Sequence, residues 1–114
     1  ESLKQNYKAV LLQLQTPNLS RFLAVDVRPL LPQITCPVLA LNGTKDIQVN
    51  HETNLEALRN GLSGNTADVI QEVVGANHLF QHCSTGRVNE YKEIEETISP
   101  EVLTVMTDWL SGLE

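Results

Sequence analysis

Apolar residues open the chain at helical spacing: Leu3, Tyr7, Val10, Leu11 and Leu14 fall at i, i+4, i+7, i+8 and i+11. That stripe predicts one buried helix face, stopped by Thr16-Pro17-Asn18. Residues 18–35 read as irregular, because Pro29 and Pro32 bar long regular elements. Phe22, Leu23, Val25, Val27, Leu30, Leu31 and Ile34 nonetheless call for burial, so this segment is expected to pack across something. Val38–Leu41 is then a continuous apolar run between Pro37 and Asn42-Gly43. Such a run suits a strand buried on both faces, at about residues 37–42.

Asn50 or Thr53 next caps a helix carrying Leu55, Leu58 and Leu62; Thr53 with Glu56 fits a capping box, and Gly61 and Gly64 end it. Residues 67–74 are rich in β-branched side chains and predict a second strand, with Gln71 and Glu72 meeting water. Ser99-Pro100 opens a last helix in the favoured cap and first-turn order, with a stripe of Val102, Val105, Met106, Trp109, Leu110 and Leu113. Strand, helix, strand implies parallel pairing through a crossover, hence an α/β class. Two parallel strands leave sheet edges open, so homodimerisation through an exposed edge is expected.

Composition narrows the partners. The chain has 114 residues, enough for one modest core, and a net charge of −6. Nucleic-acid binders concentrate positive charge, so a nucleic-acid partner is not expected. No apolar run approaches the ~18 residues of a membrane span. The chain starts at Glu1 without a signal-peptide pattern, which suggests an excised piece and leaves the compartment open between cytoplasm and periplasm. Cys36 and Cys83 have no metal-ligand spacing; Cys36 reads as a small buried hydrophobe and Cys83 as a loop residue open to solvent.

Candidate chemistry sits where the strands end. Asp46 follows the first strand through Asn42-Gly43, and His78 follows the second through Gly75-Ala76-Asn77. Open parallel sheets gather functional groups at the carboxyl ends of their strands, so adjacent strands would bring both residues to one edge. An acid that orients a histidine, and a histidine that takes a proton, are two of the three members of a catalytic triad. Asx-turn chemistry would also account for Asp46, and a surface loop for His78.

A nucleophile is harder to find. Gly61-Leu62-Ser63-Gly64-Asn65 nearly matches G-x-S-x-G, but it leads from helix to strand, and Ser63 reads as a helix-stop residue. Ser84 lacks the strand–turn–helix setting. His78, His82 and Cys83 offer H-x-x-x-H spacing, which works on a helix but not on a loop, so no metal is expected. Glu93, Glu95 and Glu96 read as a solvated face; Tyr91 and Trp109 read as packing residues.

Longer strings carry a resemblance. Ile34-Thr35-Cys36-Pro37-Val38-Leu39 through Gly43-Thr44-Lys45-Asp46-Ile47-Gln48-Val49 resembles the penultimate strand and acid loop of α/β-hydrolases. Asn77-His78-Leu79-Phe80-Gln81 resembles their histidine loop. Thr85-Gly86, Glu90-Tyr91, Ile94-Glu95-Glu96-Thr97-Ile98-Ser99-Pro100 and Trp109-Leu110 are similar to a bacterial esterase-like branch of EstD or acyl-thioesterase type. The likeness covers about residues 20–113.

The resemblance implies the C-terminal part of an α/β-hydrolase fold. Residues 1–33 would be the end of a cap or lid helix and its return, and 34–114 the C-terminal αβ portion. It implies a serine hydrolase of carboxylic esters or thioesters, with Asp46 as orienting acid, His78 as general base and no cofactor or metal. In the family's order of nucleophile, acid and histidine, the serine would lie upstream of Glu1. The piece alone is then expected to be inactive, its substrate being a small acyl ester or thioester of the longer parent. The alternatives are a non-catalytic hydrolase-like dimerisation or docking module, or a peptidase of the same fold.

Overall fold

A computed structural model describes residues 7, 8, 10–12 and 14–113. Leu3 of the opening stripe lies outside these residues, while Tyr7, Val10, Leu11 and Leu14 are helical. After a turn at Gln15-Thr16 comes helix α1, Pro17–Ala24, and then a 3-10 helix, Arg28–Gln33. Strand β1 is Leu39–Gly43, helix α2 His51–Gly61 and strand β2 Val69–Val73. A second 3-10 helix, Val88–Glu93, precedes helix α3, Pro100–Ser111.

The expected irregular stretch at 18–35 is thus largely helical. Proline lacks the N–H that a first turn leaves unpaired anyway, so Pro17 starts a helix instead of only ending one. Pro29 likewise sits in the first turn of its 3-10 helix. The expected burial does not follow: Leu31 is buried and Ile34 half-buried, but Phe22, Leu23, Val25, Val27 and Leu30 are exposed.

Strands β1 and β2 pair in parallel, Leu39 opposite Val69 through Gly43 opposite Val73, as a two-stranded sheet. Both are shorter than expected. The Val38 amide is taken by the Asp68 carboxylate at 2.9 Å, while the Val38 carbonyl accepts from the Val69 amide at 2.9 Å where the ladder begins. Helix α2 connects the strands. Its cap is Asn50, whose side chain accepts from the Thr53 amide at 2.8 Å; Thr53 is inside the helix and forms no capping box. Leu55 is the buried residue of α2, and Gly61 passes so close to Leu31 that a larger residue would overlap it.

The main cluster is Val73, Ala76 and Val102, with Leu41, Phe80 and Ile98 packed around it. Helix α3 starts as expected: the Ser99 side chain accepts from the Glu101 amide. Trp109 ties it to the start of β2 by donating to the Ala67 carbonyl at 2.7 Å. Cys36 is exposed, not buried, because the sheet begins three residues after it.

Much apolar surface stays uncovered. The radius of gyration is 17.4 Å, against about 13 Å for a compact domain of this length. Accessible surface is 8499 Å², against about 6,200 Å² for a compact monomer of this mass. No helix among the described residues is long and apolar enough to cross a membrane.

Candidate active site

Two loops at the carboxyl ends of β1 and β2 make the site, and backbone bonds lock them together. The Thr44 amide donates to the Val73 carbonyl at 3.0 Å and the Lys45 amide to the Ala76 carbonyl at 2.9 Å. The Gly75 amide in turn donates to the Thr44 hydroxyl at 2.8 Å. Gly43 is needed here for close approach rather than for a turn: a Cβ would run into the Ala76 and Asn77 carbonyls. Gly75 does turn the chain, with φ of 78°.

These ties bring Asp46 and His78 into contact, His78 Nδ1 to Asp46 Oδ2 at 2.9 Å. The Asp46 side chain is 4% exposed and that of His78 is 39% exposed. The acid is therefore enclosed while the ring reaches solvent. Asp46 Oδ1 accepts from the Gln48 and Val49 amides at 2.8 and 2.9 Å, and Oδ2 also accepts from Asn42 Nδ2 at 3.1 Å. Burial pushes the Asp46 pKa up, but the bond from His78, the two amides and the histidine's charge outweigh it and leave it below the ordinary value. An ionised carboxylate only accepts, so His78 Nδ1 carries the shared hydrogen and its Nε2 lone pair is left to take a proton.

The histidine loop has its own frame. Asn77 is fully buried, and its Oδ1 accepts from the Leu79 and Gln81 amides at 2.9 and 3.1 Å. Its Nδ2 donates to Gln81 Oε1, and Gln81 Nε2 donates to the Glu96 carbonyl, each at 2.9 Å. Phe80 is held at φ 58°, a conformation that costs a bulky residue about 1–3 kcal/mol. Core packing of its ring and the Ser99 amide, which donates to its carbonyl at 2.8 Å, sustain it.

Other expected residues fall elsewhere. Glu96 is not simply solvated: it accepts from the His82 amide and faces the His82 ring. His82 is thereby turned toward a carboxylate. Cys83 is half-buried with its thiol toward the Gly75 carbonyl. Among the described residues no group of three or more His, Cys, Asp or Glu is arranged to hold a metal. Ser63 donates to the Ile34 carbonyl at 2.7 Å, and the Ser84 amide donates to Glu90; neither serine hydrogen-bonds to His78. Tyr91 links its 3-10 helix to the acid loop by accepting from Gln48 Nε2 at 2.9 Å.

Sequence reasoning missed Asn42, Asn77, Glu90 and Glu96. The signal for Asn42 was a polar residue closing an apolar strand; Glu90 and Glu96 had none beyond charge. Glu90 takes the Thr85 hydroxyl and the amides of Ser84, Thr85 and Gly86, which closes the loop beyond Cys83. Lys45 Nζ joins that loop to the acid loop through the Cys83 and Ser84 carbonyls at 2.8 and 3.1 Å.

Comparison of the chain with protein-family models, with curated proteins and with solved structures gives no match.

Proposed function

We propose that this chain supplies the acid and the base of a serine hydrolase that cleaves carboxylic esters or thioesters. The observation that carries the reading is the enclosed Asp46 carboxylate bonded to Nδ1 of a solvent-facing His78. In the proposed reaction His78 Nε2 takes the proton of a serine hydroxyl as it attacks the acyl carbonyl, then returns it to the leaving group. Water repeats the sequence on the acyl-serine. Asp46 keeps the ring in the Nδ1–H tautomer and stabilises the imidazolium. The serine and the donors for the oxyanion are assigned to polypeptide outside these residues, and the sheet to a larger α/β-hydrolase fold. The chain alone is therefore expected to be inactive.

The test uses p-nitrophenyl ester turnover and fluorophosphonate labelling of the natural gene product that contains these residues. His78→Ala is expected to lower turnover by about 10³-fold or more; undiminished turnover overturns the reading. On the 114-residue chain, turnover abolished by His78→Ala would show that the nucleophile is present after all.

A second reading rests on a different observation, the excess apolar surface and the open sheet edges. In it the chain is a hydrolase-like docking module that pairs with a second copy along a strand edge. A monomeric mass by light scattering at micromolar concentration counts against it.

A further inference from the structure

Asn42 is an unfavoured choice for its place. It lies in β1, opposite Glu72, where amide side chains are depleted, and it is only 7% exposed. A buried carboxamide is costly unless it is bonded. Its nitrogen goes neither to the strand nor to solvent but to Oδ2 of Asp46, four residues on. The reverse orientation of the amide would set its oxygen against a carboxylate oxygen, so the donor assignment follows from charge.

Asp46 Oδ1 is already held by two backbone amides, of Gln48 and Val49. Oδ2 is met, among the described residues, by Asn42 and His78. A carboxylate oxygen offers roughly two acceptor directions. With Asn42 on one of them, His78 is left the other. At 4% exposure the Asp46 side chain has little access to water as a replacement for the amide.

We propose that Asn42 is a positioning residue for the Asp46–His78 pair, fixing the carboxylate direction that receives His78 Nδ1. This rests on reading the pair as acid and base. Asn42 touches no reacting atom; it acts through Asp46. Three side chains from two strand ends then form one unit, in which the strand itself, not only the loop, sets the aim of the base.

The experiment is NMR on the whole chain, with ¹³C-detected titration of the Asp46 carboxyl and ¹⁵N shifts reporting the His78 tautomer. Two variants with the same heavy-atom branching are compared: Asn42→Leu, which removes the donor, and Asn42→Asp, which sets a second carboxylate against Asp46. Asn42→Leu is expected to raise the Asp46 midpoint, because the ionised carboxylate loses a donor. It is also expected to shift neutral His78 away from the Nδ1–H tautomer. Asn42→Asp is expected to raise the midpoint further, through repulsion between the carboxylates.

Variants that keep the wild-type amide pattern and leave both the midpoint and the tautomer unchanged overturn the positioning role alone. Loss of fold in both variants assigns Asn42 to the core and overturns it as well. A wild-type chain whose His78 is mainly Nε2–H, with Asp46 titrating independently, instead overturns the acid–base reading and the proposal with it.

Discussion

Glu96 holds His82 at two points: one carboxylate oxygen accepts from the His82 amide at 2.6 Å, and both lie within 3.2 Å of its ring Nδ1. Four residues after His78, the far end of the histidine loop is thereby anchored to the segment leading into α3. The amide bond is also the main reason why the Glu96 pKa lies below its ordinary value; burial opposes it, and the His82 ring supports it. Replacing Glu96 by Ala should release that end. Hydrogen exchange at the His82 amide is expected to accelerate about tenfold or more, with little change at the β1–β2 amides. Equal acceleration in the strands would mean that Glu96 supports the whole fold and not the loop.

Acid should weaken the molecule through its carboxylates. The Thr85 hydroxyl bond first, then the Thr85 and Ser84 amides, hold Glu90 down to about 2 from an ordinary 4.5. A folded-state pKa below the unfolded one favours folding fully above the unfolded value and loses that contribution as pH falls through the folded one. Asp46 and Glu96 are lowered too and add in the same direction. Thermal midpoints should therefore fall as pH drops from about 4.5 toward 2. Glu90→Gln should flatten that limb, and an unaltered acid limb in the variant would remove Glu90 from the explanation.

The acid should matter through the tautomer. In Asp46→Asn the new amide has only one accepting atom for the Gln48 and Val49 amides, Asn42 and His78, so Nδ1–H of the histidine loses its preferred partner. Ester turnover by the natural gene product is expected to fall about 10⁴-fold with modest change in KM. A similar loss of binding instead of rate would point to a substrate contact.

Core packing gives a check independent of chemistry. Leu55 is 2% exposed in α2, a helix that lies against the sheet and the first 3-10 helix. Leu55→Ala should cost about 2–5 kcal/mol, measured by chemical unfolding. Leu110→Ala, at an exposed position of α3, should cost well under that.

Local chemistry was legible along the chain where neighbours in sequence are neighbours in space. Asn50 beside Thr53 and Ser99 beside Glu101 cap their helices within a turn, and the apolar run leading into Asn42-Gly43 forms the strand it predicts. Strand, helix and strand in that order led to parallel pairing, and parallel pairing put Asp46 and His78 at one edge. The helix at 17–24 was not legible, because proline ends one helix and starts another with the same residue.

By itself, then, the sequence determined the α/β order and the two residues that meet where the strands end, since periodicity and chain direction are enough for those. Only the tertiary structure decided that Asn42 shares the Asp46 oxygen with His78, that Glu96 clasps His82 and that Phe22 to Val27 lie open. Those depend on side-chain directions and on which surfaces meet. Charge and hydrophobicity name the groups that need a partner; packing in three dimensions chooses which partner each one finds.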